Sequence, residues 1–165
     1  MKKEYIYVII FLAALYGVKT FFWSSDKIKI ARTINAIELT LEFKKKLSPL
    51  SIAGKIKSLK KHTAKDIRIV TVSGNRTYSE SGFESIKSAA LMGSKMIHKN
   101  QFTRTNTKLS VDKERASFYF DIVSDGEDNS QIQFRELFQV EGRMRKVDNE
   151  WIVTSISVER LTPEE

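Results

Sequence analysis

The chain has 165 residues, 41% hydrophobic and 29% charged, with a formal net charge of +8 and no cysteine. That hydrophobic share suits one packed domain with an appendage and argues against long disorder. Without cysteine there is no disulfide, thiolate metal centre, thiol catalysis or lipid attachment through an N-terminal cysteine. The positive charge is local: residues 24–65 hold 11 Lys or Arg against three acids, whereas residues 66–165 hold 14 against 16.

After a short tail at 1–4, residues 5–23 (YIYVIIFLAALYGVKTFFW) are almost wholly apolar. Their length fits one membrane span of about 20 residues, and the aromatic residues at both ends suit the two interfaces. A cleaved signal peptide is the rival reading. No small-x-small site follows the apolar run, which favours an uncleaved anchor. Lys2 and Lys3 favour a cytoplasmic N-terminus; Lys19, Lys27, Lys29 and Arg32 argue the other way by counting. The short tail supports signal-anchor geometry, with the remaining chain outside.

Residues 24–25 read as a linker and 26–160 as the folded domain. Over 26–47, Ile30, Ile34, Ile37 and Leu41 recur in steps of four, three and four, the stripe of an amphipathic helix capped by Ser25 or Asp26. Lys44, Lys45 and Lys46 then fall in its last turn, where cations complement the helix dipole. Ser48-Pro49 opens a second helix, with Ile52, Ile56 and Leu59 on its buried edge and Lys55, Lys57, Lys60 and Lys61 facing elsewhere. These seven lysines form a basic surface. It is either a plain solvated face or a contact for anionic lipid or an acidic partner. No stacking aromatics interleave them, so nucleic acid is not expected.

Asp66–Ser73 (DIRIVTVS) reads as a short strand, turned by Gly74-Asn75, with Arg76 to Tyr78 pairing back. Ser81-Gly82-Phe83-Glu84 fits a capping box for a third helix running to about His98, with Ile86, Ala90, Gly93 and Ile97 along one side. The two histidines, His62 and His98, sit at predicted helix ends without carboxylates at ligand spacing, so no metal or cofactor is expected. Phe102–Val111 and Arg115–Ser124 read as strands separated by a turn at Asp112-Lys113-Glu114, with Ala116, Phe118, Phe120 and Ile122 on one face. Asp125–Asn129 (DGEDN) reads as an acidic turn.

The C-terminal stretch Gln131–Leu161 carries the clearest pattern. Ile132, Phe134, Phe138, Val140 and Met144 alternate with polar residues, the period of a half-buried strand. Asp148-Asn149 suits a two-residue turn needing positive φ. Beyond it Ile152, Ile156 and Val158 share one face, with Trp151 and Val153 on the other. Residues 161–165 read as a frayed end.

This order, with the ending EGRMRKVDNEWIVTSISV, resembles the nuclear transport factor 2-like superfamily, the fold shared with ketosteroid isomerase and polyketide-cyclase-like proteins. The resemblance covers roughly residues 26–160 and implies an α+β fold. It implies a cone-shaped curved antiparallel sheet wrapped on three helices, here preceded by one transmembrane helix. It also implies an internal pocket in many members and a homodimer through the sheet in some. It implies no single activity. No Asp-Tyr-Asp set of the isomerase kind aligns residue by residue.

One residue breaks the alternation. Glu136 lies between Phe134 and Phe138 on the inward face, and a buried carboxylate needs a partner or a raised pKa. It is either a structural ion pair, a residue turned outward by a bulge, or a polar anchor or general base at a pocket floor. Arg104 and Tyr78 are its candidate companions in ligand binding. Two functional expectations follow. The first is a non-enzymatic interaction module of the bacterial cell envelope, tethered by residues 5–23 to the inner membrane with its domain in the periplasm. It would act on a protein partner, similar in plan to the inner-membrane assembly factor of type IV secretion. The alternative is a small-molecule-binding or isomerase/cyclase-type domain with Glu136, Arg104 and Tyr78 lining a cavity.

Overall fold

The computed structural model describes residues 26–161. The first helix, α1, spans residues 26–41. It is followed by α2 (Pro49–His62), β1 (Thr63–Ser73), β2 (Arg76–Ser81), α3 (Phe83–Met96), β3 (Ile97–Asp112), β4 (Arg115–Asp128), β5 (Gln133–Val147) and β6 (Glu150–Leu161). The strands form one curved, unclosed sheet in the order β2-β1-β6-β5-β4-β3. All neighbours are antiparallel except β1 and β6. Because β2 and β3 are the two edges, α3 between them spans the sheet from edge to edge. The helices thus lie on one face, as the α+β cone requires. Among the described residues no helix is long and apolar enough to cross a membrane, and the apolar stretch 5–23 lies outside them.

The core follows from alternation. Ala116, Phe118, Phe120 and Ile122 of β4 pack with Val140 and Met144 of β5, Trp151 and Val153 of β6, and Ile30 and Ile34 of α1. Phe118 lies directly opposite Gly142, and its ring occupies the space a β-carbon there would need. At the hairpin tip Asp148 and Asn149 have φ of 49° and 66°, the left-handed pair of a two-residue turn whose twist matches the strands.

Trp151 is 1% exposed, and its indole donates to Asp26 Oδ1 at 3.2 Å. Lys146 donates to both oxygens of the same carboxylate at 3.0 and 3.1 Å. Burial opposes ionisation of Asp26, but the Lys146 and Trp151 hydrogen bonds and the nearby Lys146 and Lys29 charges outweigh it, holding its carboxyl below the ordinary 3.8. This cluster pins the first described turn of α1 to the β5–β6 hairpin. At the other end of α1, Phe43 and Asn100 exchange two backbone hydrogen bonds, and Glu42 Oε1 accepts the Phe102 N–H at 2.9 Å.

Several elements depart from the sequence expectations. α1 stops at 41 rather than 47, because the chain leaves the helix to bridge β3 through Phe43. Lys44, Lys45 and Lys46 therefore sit beyond the helix, exposed. Its last carbonyls are met instead by Lys55, whose ammonium donates to Leu39, Thr40 and Glu42 carbonyls at 3.3, 2.8 and 2.7 Å. α3 is capped by Gly82 at φ 89° with no side-chain cap bond, so Ser81 and Glu84 form no capping box; Glu84 pairs with Lys87. His98 belongs to β3, not to the end of α3. The acidic turn at 125–129 is strand as far as Asp128, paired with β3 and β5. Trp151 and Val153 share the inner face with Ile156 and Val158, because Thr154 is an unpaired extra residue in β6 that reverses the alternation.

Candidate functional site

Between the helices and the concave face of the sheet lies a cavity of two adjoining lobes. The lobe under α1 measures about 390 Å³ and the lobe between α2 and α3 about 360 Å³. They share Ile37, Leu41, Ile97, Phe102, Ile156 and Val158 as common walls. The interior stays open because, after Ile86, the residues lining it from α3 are small. Ala90 and Gly93 take the positions a packed helix would give to larger side chains, and a β-carbon built on Gly93 meets nothing within 4 Å. The volumes and the apolar lining match those of ordinary small-molecule pockets.

A few polar groups interrupt the apolar wall. Ser124 donates to Asn100 Oδ1 at 2.7 Å, and both residues are buried. Glu38 enters from α1. Its Oε1 is buried and accepts no hydrogen bond, although Arg104 Nη1 stands 3.4 Å away. Burial raises the Glu38 carboxyl above its ordinary 4.5. Arg104 opposes this through its charge and Glu42 reinforces it, and the net shift is upward. A carboxyl whose pKa is raised beside an apolar chamber is suited to proton exchange with a ligand or to a hydrogen bond with a ligand's single polar group.

Glu136 does face inward and lines the lobe under α1, with its ion pair to Arg160 Nη2 at 2.8 Å. Arg160 is 56% exposed, which puts this pair at the rim rather than the floor. Arg104 shares the inward face with Phe102, but its partners are Asn35 Oδ1 at 2.6 Å and Glu38, with its guanidinium 5.5 Å from the Phe120 ring centre. Tyr78 is on the edge strand β2, 54% exposed. The structure therefore joins Glu136 to Arg160 and Arg104 to Glu38, and keeps Tyr78 apart from both. Of the basic set, Lys44, Lys45, Lys46, Lys57, Lys60 and Lys61 are exposed, whereas Lys55 is half-buried on the α1 carbonyls, where burial lowers its pKa. Among the described residues no group of three or more His, Asp or Glu side chains is placed to hold a metal.

Sequence reasoning missed Glu38, and its signal was present. Glu38 follows Ile34 by four residues and Ile37 by one, so it falls on the apolar stripe of α1.

No family model matches the chain, and no curated protein matches it. Solved structures do. A nuclear transport factor 2-like superfamily protein from Salmonella enterica superposes with a TM-score of 0.68 at 12% identity, covering 86% of this chain and 95% of that one. A provisionally assigned dehydratase of the same family from Streptomyces avermitilis gives 0.66 at 13% identity, with 84% and 99% covered. A provisionally assigned scytalone dehydratase from Novosphingobium aromaticivorans gives 0.69 at 12% identity, with 87% and 89% covered. Identities this low speak to the fold alone, and the described chain has the nuclear transport factor 2-like fold.

Proposed function

We propose that this domain binds a small, largely apolar molecule inside the cone, with Glu38 meeting the molecule's one polar group. The observation that carries this reading is the buried Glu38 Oε1 on the wall of an apolar chamber, ion-paired with Arg104 at 3.4 Å but without a hydrogen bond. A buried carboxyl oxygen without a hydrogen bond costs stability; the Arg104 charge offsets part of it, and a ligand's hydrogen-bond donor can supply the rest. Proton transfer by Glu38 to or from the bound molecule is the enzymatic form of the same proposal. The provisional dehydratases among the structural neighbours lend it support. The membrane tether through 5–23 and the periplasmic address belong to the proposal as its setting: a binding domain held at a bilayer has apolar molecules close at hand.

The interaction-module reading keeps one observation in its favour. Met92 and Met96, one turn apart on α3, are each 64% exposed, a stripe on which a protein partner would find apolar contacts.

The test is mass spectrometry of organic extracts from the purified full-length chain, compared with Ile37→Trp, which enlarges a side chain on the wall common to both lobes. The expected result is an apolar compound in near-equimolar amount with the wild type and its loss from the folded variant. Equal extracts from both proteins would refute the cavity as the binding place.

A further inference from the structure

The face of the sheet turned away from the helices carries a second, unrelated feature. One register row runs across five strands: Ser110 opposite Ser117, Ser117 opposite Arg143, Arg143 opposite Ser155, and Ser155 opposite Arg68. On one side of it Lys108, Tyr119 and Glu141 form the next row, and on the other Arg115 faces Arg145. These residues border a groove of about 660 Å³, in which Arg68, Lys108 and Arg143 stand against one carboxylate, Glu141. A shallower hollow beside it is lined by Arg115, Arg143 and Arg145.

None of these four arginines has an ion pair among the described residues, where Arg104, Arg135 and Arg160 each have one. Arg115 directly opposite Arg145 is a like-charge cross-strand pair, which weakens a sheet. Strands lie about 4.8 Å apart, so Arg143 and Arg68, with β6 between them, are about 10 Å apart at their backbones. Two guanidinium forks at that spacing close on a tetrahedral oxyanion from both sides, with the Ser155 hydroxyl able to donate between them and Ser117 flanking Arg143 on its other side. Tyr119, the aromatic side chain of the groove, has Lys108 5.2 Å from its ring centre, and its hydroxyl is bonded to Asp121 and Gln139. It therefore offers no free platform for nucleic-acid bases.

We infer that the outer sheet face is a binding site for a phosphate-bearing ligand, held by Arg68 and Arg143 with Ser155 between them. The site is independent of the cone cavity, since it lies on the opposite face of the sheet. The ligand is either a free phosphate compound or the headgroup of an anionic lipid, and the test separates the two.

The experiment is calorimetric titration of the full-length chain in a neutral detergent with inorganic pyrophosphate and, separately, with water-soluble dihexanoyl phosphatidylglycerol. Arg68→Gln/Arg143→Gln is compared with Lys87→Gln/Lys95→Gln, which removes the same charge from exposed positions on α3. The expected result is saturable binding of one probe, weakened at least tenfold by the arginine changes and less than twofold by the lysine changes. Pyrophosphate as that probe identifies a free ligand, and the lipid identifies a headgroup. Failure of both probes to bind overturns the proposal, as does equal weakening in both variants, which would mean diffuse attraction only. Circular dichroism of each variant confirms the fold, since all four side chains are exposed.

Discussion

Gly93 offers the sharpest handle on the cavity. It lies in the last turns of α3 with no positive φ, and a β-carbon there meets nothing within 4 Å. Gly93→Ala therefore adds no clash and removes the conformational cost of glycine in a helix, worth about 0.8–1 kcal/mol. Gly93→Leu adds a side chain that projects into the open lobe. If half of it is buried, it gains about 1 kcal/mol more, offset by about 0.5–1 kcal/mol of lost rotamer freedom. Both variants should thus be stabilised by about 1 kcal/mol, which for a domain of this size raises the midpoint by roughly 3–4 °C. The assay is thermal unfolding followed by circular dichroism, on protein stripped of any extractable ligand. A lowered midpoint for Gly93→Leu would show that the space under α3 is filled, and the cavity argument would fall. An unchanged or lowered midpoint for Gly93→Ala would show that this backbone is not an ordinary helical position.

Three further outcomes follow from the charged groups. The raised Glu38 pKa means that the folded state holds this proton more tightly than the unfolded chain, so its contribution is complete below about 4.5 and is lost as pH rises through the folded value. Glu38→Gln, which does not titrate, should therefore gain midpoint relative to wild type as pH climbs from 4 to 7; a flat or reversed difference contradicts the burial of this carboxyl. Asp26 has the opposite sign: its lowered pKa stabilises the fold above the ordinary 3.8, and that contribution disappears as pH falls through the folded value. Asp26→Ala leaves Lys146 and the Trp151 indole without their shared acceptor and should cost about 2 kcal/mol in denaturant titration, against under about 0.5 kcal/mol if the cluster is incidental. Glu136→Gln breaks a rim ion pair with a half-exposed arginine and should change stability by less than about 1 kcal/mol. It should also leave ligand retention intact, and loss of the extracted compound would return Glu136 to the centre of the site.

The parts of the fold that were legible in the sequence are those where local pattern and tertiary role agree. Alternation over 134–144, the Asp148-Asn149 turn and the Ile30–Ile34–Ile37 stripe each state their own geometry. The misread parts were decided by contacts distant in the chain. α1 ends where Phe43 can bridge Asn100 in β3, which no feature of the lysine run announces. The inward turn of Trp151 depends on the unpaired Thr154, a one-residue irregularity that periodicity alone reads as a change of face. Glycine and aspartate at 125–128 look like a turn, yet they lie in a strand where the Phe134 ring covers Gly126. The same holds for the candidate site. Glu136 was visible because it interrupts a strand pattern. Glu38 was missed because a glutamate is an ordinary helix residue, although its place beside Ile34 and Ile37 on the apolar stripe marked the face that the sheet buries.

The account rests on an apolar molecule occupying the cone beside Glu38. The most direct measurement is an NMR experiment on protein with ¹³C-labelled isoleucine methyls, mixed with the compound recovered from the wild-type extract. Intermolecular NOEs should reach Ile34, Ile37 and Ile122 on the cavity wall and be absent at Ile28 and Ile132, which are 49% and 64% exposed. NOEs confined to Ile28 and Ile132, with the cavity methyls silent, would contradict it.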